Sequence, residues 1–356
     1  MEVIIDRNFK YLLMTEPYNE TAHFAKSWQQ QLSEAFNRIE DLCAYLHLSP
    51  DRLPVSVAAT QNFPLRVPLS FAACIEKANP QDPLLRQVLP VNDETSFYPG
   101  YSNDPVGDLP AAAQTGVIHK YQGRVLLINT GSCAINCRYC FRRNFPYADL
   151  QLGKQQEEAA MAYIASDSGI SEVILSGGDP LLLSDARLAR LIAQLNGIQQ
   201  LKRIRIHTRL PVVLPARITD ALLDLLSNSA KQIVVVVHCN HANELSSRVM
   251  AACKRLKNSG ITLLNQSVLL KGVNDNAEVL SALSERLFEV GVIPYYLHLL
   301  DKATGTAHFE VSETTALALV EQIRDRLPGY LVPKLVKEQA GMAAKQAVFQ
   351  ASDDTL

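Results

Sequence analysis

Glu172-Val173-Ile174-Leu175-Ser176-Gly177-Gly178-Asp179-Pro180, followed by Leu188, Leu191, Ile192 and Leu195, is one complete beat of a repeating pattern. A β-rich run ends in glycines and an acid. Apolar residues then recur at i, i+3, i+4 and i+7, the spacing of a helix with one buried stripe. Further β-rich runs are Arg124-Val125-Leu126-Leu127-Ile128, Arg203-Ile204-Arg205-Ile206, Gln232-Ile233-Val234-Val235-Val236-Val237, Thr262-Leu263-Leu264 and Ile293-Pro294-Tyr295-Tyr296-Leu297. Leu280, Leu283 and Leu287 repeat the helical spacing. The last four runs start about thirty residues apart, the length of one strand-helix-strand unit. Runs apolar on nearly every residue, separated by amphipathic helices, predict a parallel sheet covered on both faces.

Six such units fit an open doubly wound sheet or a partial barrel. Polar and glycine-rich residues gather just after the runs: Thr130-Gly131, Ser176-Gly177-Gly178-Asp179, His207-Thr208-Arg209, His238, Asn265-Gln266 and Asp301. Nearly every strand thus feeds one mouth, as in a barrel, whereas an open sheet concentrates such residues at one switch point. The expected fold is α/β, a partial (β/α)6 TIM-type barrel over residues 109–328. A helical accessory region at 1–108 precedes it, and a short C-terminal segment at 329–356 follows. Helical stretches near residues 20–45 and 69–78 alternate with proline-rich connections such as Asn79-Pro80-Gln81-Asp82-Pro83, with no strand beat. Leu327-Pro328-Gly329 is a stop signal, and the tail runs on to an acidic, frayed end.

Composition narrows the function classes. Of 356 residues 47% are hydrophobic and 20% charged, ordinary for a chain that buries a core and contrary to general disorder. Lys+Arg number 34 against 36 Asp+Glu, so no basic field points to nucleic acid or an anionic membrane. The most continuous apolar run, Ile233-Val234-Val235-Val236-Val237, is far shorter than the eighteen or so residues of a membrane span. Met1-Glu2-Val3-Ile4-Ile5-Asp6-Arg7 carries acids where a signal or transit peptide would not. These features predict a cytoplasmic protein with neither nucleic acid nor membrane as partner.

Seven cysteines, an odd count without an export signal, argue against a disulfide framework. Three of them stand in Cys133-Ala134-Ile135-Asn136-Cys137-Arg138-Tyr139-Cys140, a C-x3-C-x2-C spacing on the loop after the first run. Three thiolates can hold three irons of a cubane and leave the fourth iron open to another ligand. A structural zinc site would need four ligands, commonly two separated pairs, and no second pair is present. Chance clustering of buried cysteines is the other reading. Cys43, Cys74, Cys239 and Cys253 have no partner at metal-ligand spacing and read as core.

The cysteine motif, with Tyr139 before its last member and a β/α array behind it, resembles the radical S-adenosylmethionine superfamily. The resemblance implies a 4Fe-4S cluster whose open iron chelates S-adenosylmethionine. Ser176-Gly177-Gly178-Asp179-Pro180 is similar to the superfamily's glycine-glycine-acid segment, in which glycines let backbone carbonyls approach the ligand's ammonium and Asp179 adds an acceptor. From about residue 80 onward the chain resembles the lysine 2,3-aminomutase family. The match rests on Cys140-Phe141-Arg142-Arg143, Arg209-Leu210-Pro211-Val212-Val213-Leu214-Pro215, Asn265-Gln266-Ser267-Val268-Leu269-Leu270, Pro294-Tyr295-Tyr296, Asp301 and His308-Phe309. Asp82-Pro83-Leu84-Leu85-Arg86-Gln87-Val88 and Asp104-Pro105-Val106-Gly107-Asp108 extend it toward the N-terminus.

This resemblance implies a second cofactor, pyridoxal 5′-phosphate, attached to a lysine near the C-terminus. Gly341-Met342-Ala343-Ala344-Lys345 fits best, with Lys337 and Lys334 as competitors. Arg142 matches the arginine for the substrate carboxylate, Asp301 the acid for the side-chain ammonium, and Glu338 stands where a second ammonium-binding acid belongs. Lys120 and Gln266 match positions near the pyridoxal phosphate, and His238 one near S-adenosylmethionine. The implied activity is an isomerase reaction, a radical 1,2-amino shift converting L-lysine to (R)-β-lysine, supported by an electron donor of flavodoxin or ferredoxin type. The short tail and Cys140-Phe141-Arg142-Arg143-Asn144-Phe145-Pro146-Tyr147 resemble the branch that serves elongation factor P through a separate lysyl ligase. Catabolism of free lysine, or an aminomutase for glutamate or arginine, stays open beside it. So does a non-catalytic iron–sulfur carrier, and a homo-oligomer is compatible with all of these. The C-terminal cysteine cluster of the catabolic relatives has no counterpart here, so no zinc is expected.

Overall fold

The computed structural model describes residues 19–150 and 152–349. The first seven residues and the acidic C-terminal end, on which two of the readings above fall, lie outside them. Ten strands form one sheet in strictly sequential order. They are β1 (Ala112–Gln114), β2 (Val117–Tyr121), β3 (Arg124–Thr130), β4 (Glu172–Gly177), β5 (Arg203–Thr208), β6 (Gln232–His238), β7 (Thr262–Val268), β8 (Ile293–His298), β9 (Lys334–Lys337) and β10 (Gln346–Ala347). Each pair from β3 to β9 is parallel, and β1, β2 and β10 flank them antiparallel. The six expected β-rich runs are β3 to β8.

Helices between the parallel strands start where the sequence supplies a cap. Ser184, Thr219, Ser246, Asn276 and Ser312 each accept from a backbone N–H in the first turn of the helix that follows. The apolar stripe Leu188, Leu191, Ile192 and Leu195 is buried in one core with Val173, Leu175, Ile204 and Ile206. Strand periodicity then turns the intervening residues inward: Ile174 and Ser176 on β4, Arg205 and His207 on β5, and Tyr296 and His298 on β8 line a central cavity. The strands are therefore not apolar on both faces, as expected, but apolar outward and partly polar inward.

Lys120 on β2 and Glu338 just past β9 lie seven strands apart, yet their side chains form an ion pair at 3.1 Å. Only a sheet curled into an incomplete barrel brings them together. The N-terminal region is helical but broken into short pieces, among them Glu20–Phe24, Trp28–Ser33, Ile39–Tyr45 and Leu69–Ala72. Leu42, Leu69, Phe71 and Leu84 from this region belong to the same core as the barrel helices.

Candidate active site

The cavity has a volume of about 340 Å³, and residues at the C-terminal ends of the parallel strands, among them Ser176, Thr208, His238, Val268 and His298, line it. Cys133, Cys137 and Cys140 line it from the loop after β3. The N-terminal region clamps that loop: Asn136 Nδ2 donates to the Pro64 carbonyl at 2.9 Å, and the Arg138 amide to the Gln87 carbonyl at 2.8 Å. The Arg138 side chain, fully buried, donates through Nε to Glu94 at 2.9 Å, and Arg143 Nη2 reaches the same carboxylate at 2.6 Å. None of the three thiols is in a disulfide. Burial, with Cys137 beside it, pushes the Cys140 thiol up to about 11, so a cluster must supply the positive charge that makes it a thiolate. Among the described residues no three His, Cys, Asp or Glu side chains converge on a single metal ion. A cubane makes no such demand, because each thiolate takes its own iron. The donor set fits the cluster.

Gly177 ends β4 and Gly178 follows it, both against this loop. A Cβ on Gly177, whose φ is +109°, would lie 2.7 Å from the Thr130 carbonyl, and one on Gly178 would lie 2.2 Å from that of Ser132. The Gly178 amide donates to Thr130 O at 2.7 Å and the Asp179 amide to Ser132 O at 2.8 Å. The glycines therefore let the β4 end touch the backbone of the cysteine loop. Acceptors of this segment also have partners within the chain. The Gly177 carbonyl accepts from the Tyr147 hydroxyl at 2.7 Å. The Asp179 carboxylate accepts from Thr208 Oγ1 at 2.7 Å and from the Arg209 amide at 2.8 Å. Gly178→Ala is expected to cost about 3 kcal/mol of stability and to lower bound iron. Thermal unfolding and iron quantification check this, and wild-type values of both would refute it.

A chain of alternating charge lines the same cavity. Arg142 Nε donates to Asp108 Oδ2 at 2.7 Å, and Lys120 Nζ meets Asp108 Oδ1 at 2.5 Å and Glu338 Oε1 at 3.1 Å. Lys345 Nζ donates to Glu338 Oε2 at 2.6 Å. Strand register explains the last contact. Gln346 pairs with Lys337 and Ala347 with Val336, so the next position sets Lys345 across from Glu338. Burial alone would raise both carboxyls. Arg142 and Lys120 instead hold Asp108 below the ordinary range, and Lys345 and Lys120 hold Glu338 down to about 2. Arg142 Nη1 reaches Ser176 Oγ at 3.3 Å, and its guanidinium lies 4.9 Å from the Phe141 ring centroid.

Asp301, past β8, lines the same cavity and makes no side-chain hydrogen bond among the described residues. Burial pushes its carboxyl up to about 7, Lys345 and Lys120 opposing and Glu338 and Asp108 adding to the rise. His238 is pushed down to about 3 by burial, with Arg209 and Lys345 nearby, and its Nε2 stands 2.7 Å from Gln266 Nε2. Tyr139 is buried edge-on to Phe309, ring centroids 6.3 Å apart. All the expected site residues thus line one cavity. Of the competing lysines, Lys334 is exposed, and Lys337 Nζ pairs with the surface Glu313 at 2.8 Å. Sequence reasoning missed Asp108, whose Asp-Pro-Val-Gly-Asp segment was noted without a role. It also missed His298, and it placed His207 at the strand-end mouth without a role; the inward position of both follows from strand alternation.

The Radical SAM superfamily model matches residues 127–283. The chain is 46% identical to an L-lysine 2,3-aminomutase of Escherichia coli strain K12, over 90% of this chain and 94% of that protein. It is 47% identical to one from Haemophilus influenzae over 89% and 94%, and 42% identical to one from Buchnera aphidicola over 90% and 94%. Identity at this level over nearly the whole length, on a barrel whose cysteine loop and cavity agree with it, identifies the chain as an isomerase of the lysine 2,3-aminomutase family within the radical S-adenosylmethionine superfamily.

Proposed function

We propose that the chain converts (S)-α-lysine into (R)-β-lysine in the cytoplasm, and that the product serves elongation factor P through a separate ligase. The observation that carries this reading is that Arg142, Asp301 and Lys345 face the cavity that the three cysteines line. When bound, the cluster with S-adenosylmethionine and a flavodoxin- or ferredoxin-type donor supplies a hydrogen-abstracting radical, and pyridoxal phosphate supplies a π system on the migrating nitrogen. The protein binds and orients. Asp108 grips Nε of Arg142 and Ser176 Oγ lies 3.3 Å from Nη1, which leaves Nη2 and the second Nη1 proton for the substrate carboxylate. Asp301 takes the side-chain ammonium at the other end, so the two residues gauge substrate length and disfavour shorter amino acids. Glu338 aims Lys345 Nζ, the proposed attachment atom, and Lys120 brings a cation beside it for the phosphate. The resemblance of Cys140-Phe141-Arg142-Arg143-Asn144-Phe145-Pro146-Tyr147 supports the link to elongation factor P.

Anaerobic reconstitution with iron, sulfide, pyridoxal phosphate, S-adenosylmethionine, dithionite and L-lysine tests the reaction. β-Lysine is expected, and deoxyadenosine without β-lysine would overturn the substrate. Borohydride reduction followed by peptide mapping should place the pyridoxyl group on Lys345, and Lys345→Ala should abolish both the adduct and β-lysine formation. An adduct on Lys334 or Lys337 would overturn that assignment.

A further inference from the structure

The motif Arg209-Leu210-Pro211-Val212-Val213-Leu214-Pro215 has no part in the reading above, yet its first residue touches the cysteine loop. Arg209 stands just past β5, and its Nη1 donates to Cys137 Sγ at 2.8 Å. Its Nη2 donates to Gln87 Oε1 at 2.7 Å and to Glu244 Oε2 at 2.9 Å. Glu244 is fully buried and spends its other oxygen on Gln87 Nε2 and the amides of Asn240 and His241, each at 3.0 Å. The guanidinium is walled by Phe71 and Tyr139, whose ring centroids lie 5.1 and 5.6 Å away. Four chain segments thus converge to hold one buried cation against one sulfur.

Burying a guanidinium is costly, and a neutral thiol is a weak acceptor that returns little for it. A cluster-bound thiolate is a strong one, and the added electron of the reduced cluster makes its sulfurs more negative still. Glu244 balances the cation from the side away from the sulfur, so the nearer charge felt by Cys137 is positive. A hydrogen bond and a positive charge at a ligating sulfur both favour the reduced state and raise the reduction potential.

We infer that Arg209, held by Glu244 and Gln87, is a positioning residue that sets the potential of the iron–sulfur cluster through Cys137. The inference rests on the cluster implied by the superfamily and not on lysine as substrate, so a chain that loads the cluster but makes no β-lysine leaves it standing. The test is EPR-monitored potentiometry of the reconstituted full chain without S-adenosylmethionine or lysine. Arg209→Lys keeps a charge but loses the fork that spans sulfur and carboxylate, and the midpoint is expected to move to a more negative potential. A double variant, Arg209→Met with Glu244→Gln, leaves no unpaired buried charge and should shift the same way. Midpoints equal to wild type in both, at wild-type iron content, overturn the proposal. If neither variant loads iron, the reduced wild-type cluster in protein labelled with guanidino-15N arginine decides. A hyperfine coupling to arginine nitrogen is expected, and its absence overturns the proposal.

Discussion

Arg142→Lys lowers kcat/KM for lysine by on the order of a hundred- to a thousandfold, the cost of breaking a buried charged contact to the substrate. The loss follows from what one side chain does twice. Nε of Arg142 is committed to Asp108 at 2.7 Å, and the remaining guanidinium edge faces the cavity. A lysine ammonium has no second edge: it can neutralise Asp108 or meet the substrate carboxylate, but it cannot hold both in fixed geometry. The variant still folds, because a cation remains beside a carboxylate that is 2% exposed and that also keeps Lys120. Steady-state kinetics should show the change chiefly in KM, with thermal stability and iron content near wild type. A wild-type KM would remove Arg142 from substrate binding. A collapse of stability would mean that its contacts with Asp108 and Ser176 are its main work.

The contrast between these contacts and the cysteine motif shows what a sequence makes legible. The runs that became β3 to β8 are visible because outward residues such as Val173, Leu175, Ile204 and Ile206 must pack on helices, and packing imposes a period. The thiols are visible because an iron cluster imposes a spacing on one loop. β9 falls in what reads as a tail, since Lys334-Leu335-Val336-Lys337 is only four residues long with a lysine at each end, and β10 is shorter still. The long-range polar pairs in and around the cavity have no local signature. Arg142 and Asp108 are 34 positions apart, Gln87 and Glu244 are 157 apart, and Lys120 and Glu338 are 218 apart. Only the curl of the sheet and the clamp of the N-terminal region bring such partners together. Asp179 marks the same limit from the other side, because its motif was plain while its hydrogen bonds to Thr208 and Arg209 were not.

Asp301→Asn lowers kcat/KM for lysine by roughly two to three powers of ten, the cost of removing the charge partner of a buried ammonium. It also erases a pH dependence that wild type should display. Burial pushes the Asp301 carboxyl up to about 7, so below that pH most molecules carry it protonated. A protonated carboxyl cannot pair with the lysine ammonium. Substrate binding must then ionise it first, and kcat/KM should rise about tenfold per pH unit up to near pH 7 and level off above. The stability sign runs opposite to that of a salt-bridged acid. A folded pKa raised from 3.8 means that the folded state holds the proton more tightly than the unfolded chain. Its destabilising contribution is absent below the unfolded value, grows as pH rises toward 7, and is constant beyond, amounting to a few kcal/mol at most. Asp301→Asn should therefore melt higher than wild type at pH 8 and no higher at pH 4, while added lysine should raise the melting temperature of wild type far more than that of the variant. A flat pH profile for wild-type kcat/KM, or an equal response of both proteins to lysine, would place the substrate ammonium elsewhere. On the proposed reading, the acid whose ionisation destabilises the fold is the group that a cationic side chain would stabilise, and the preference for lysine would come from a charge the cavity does not satisfy alone.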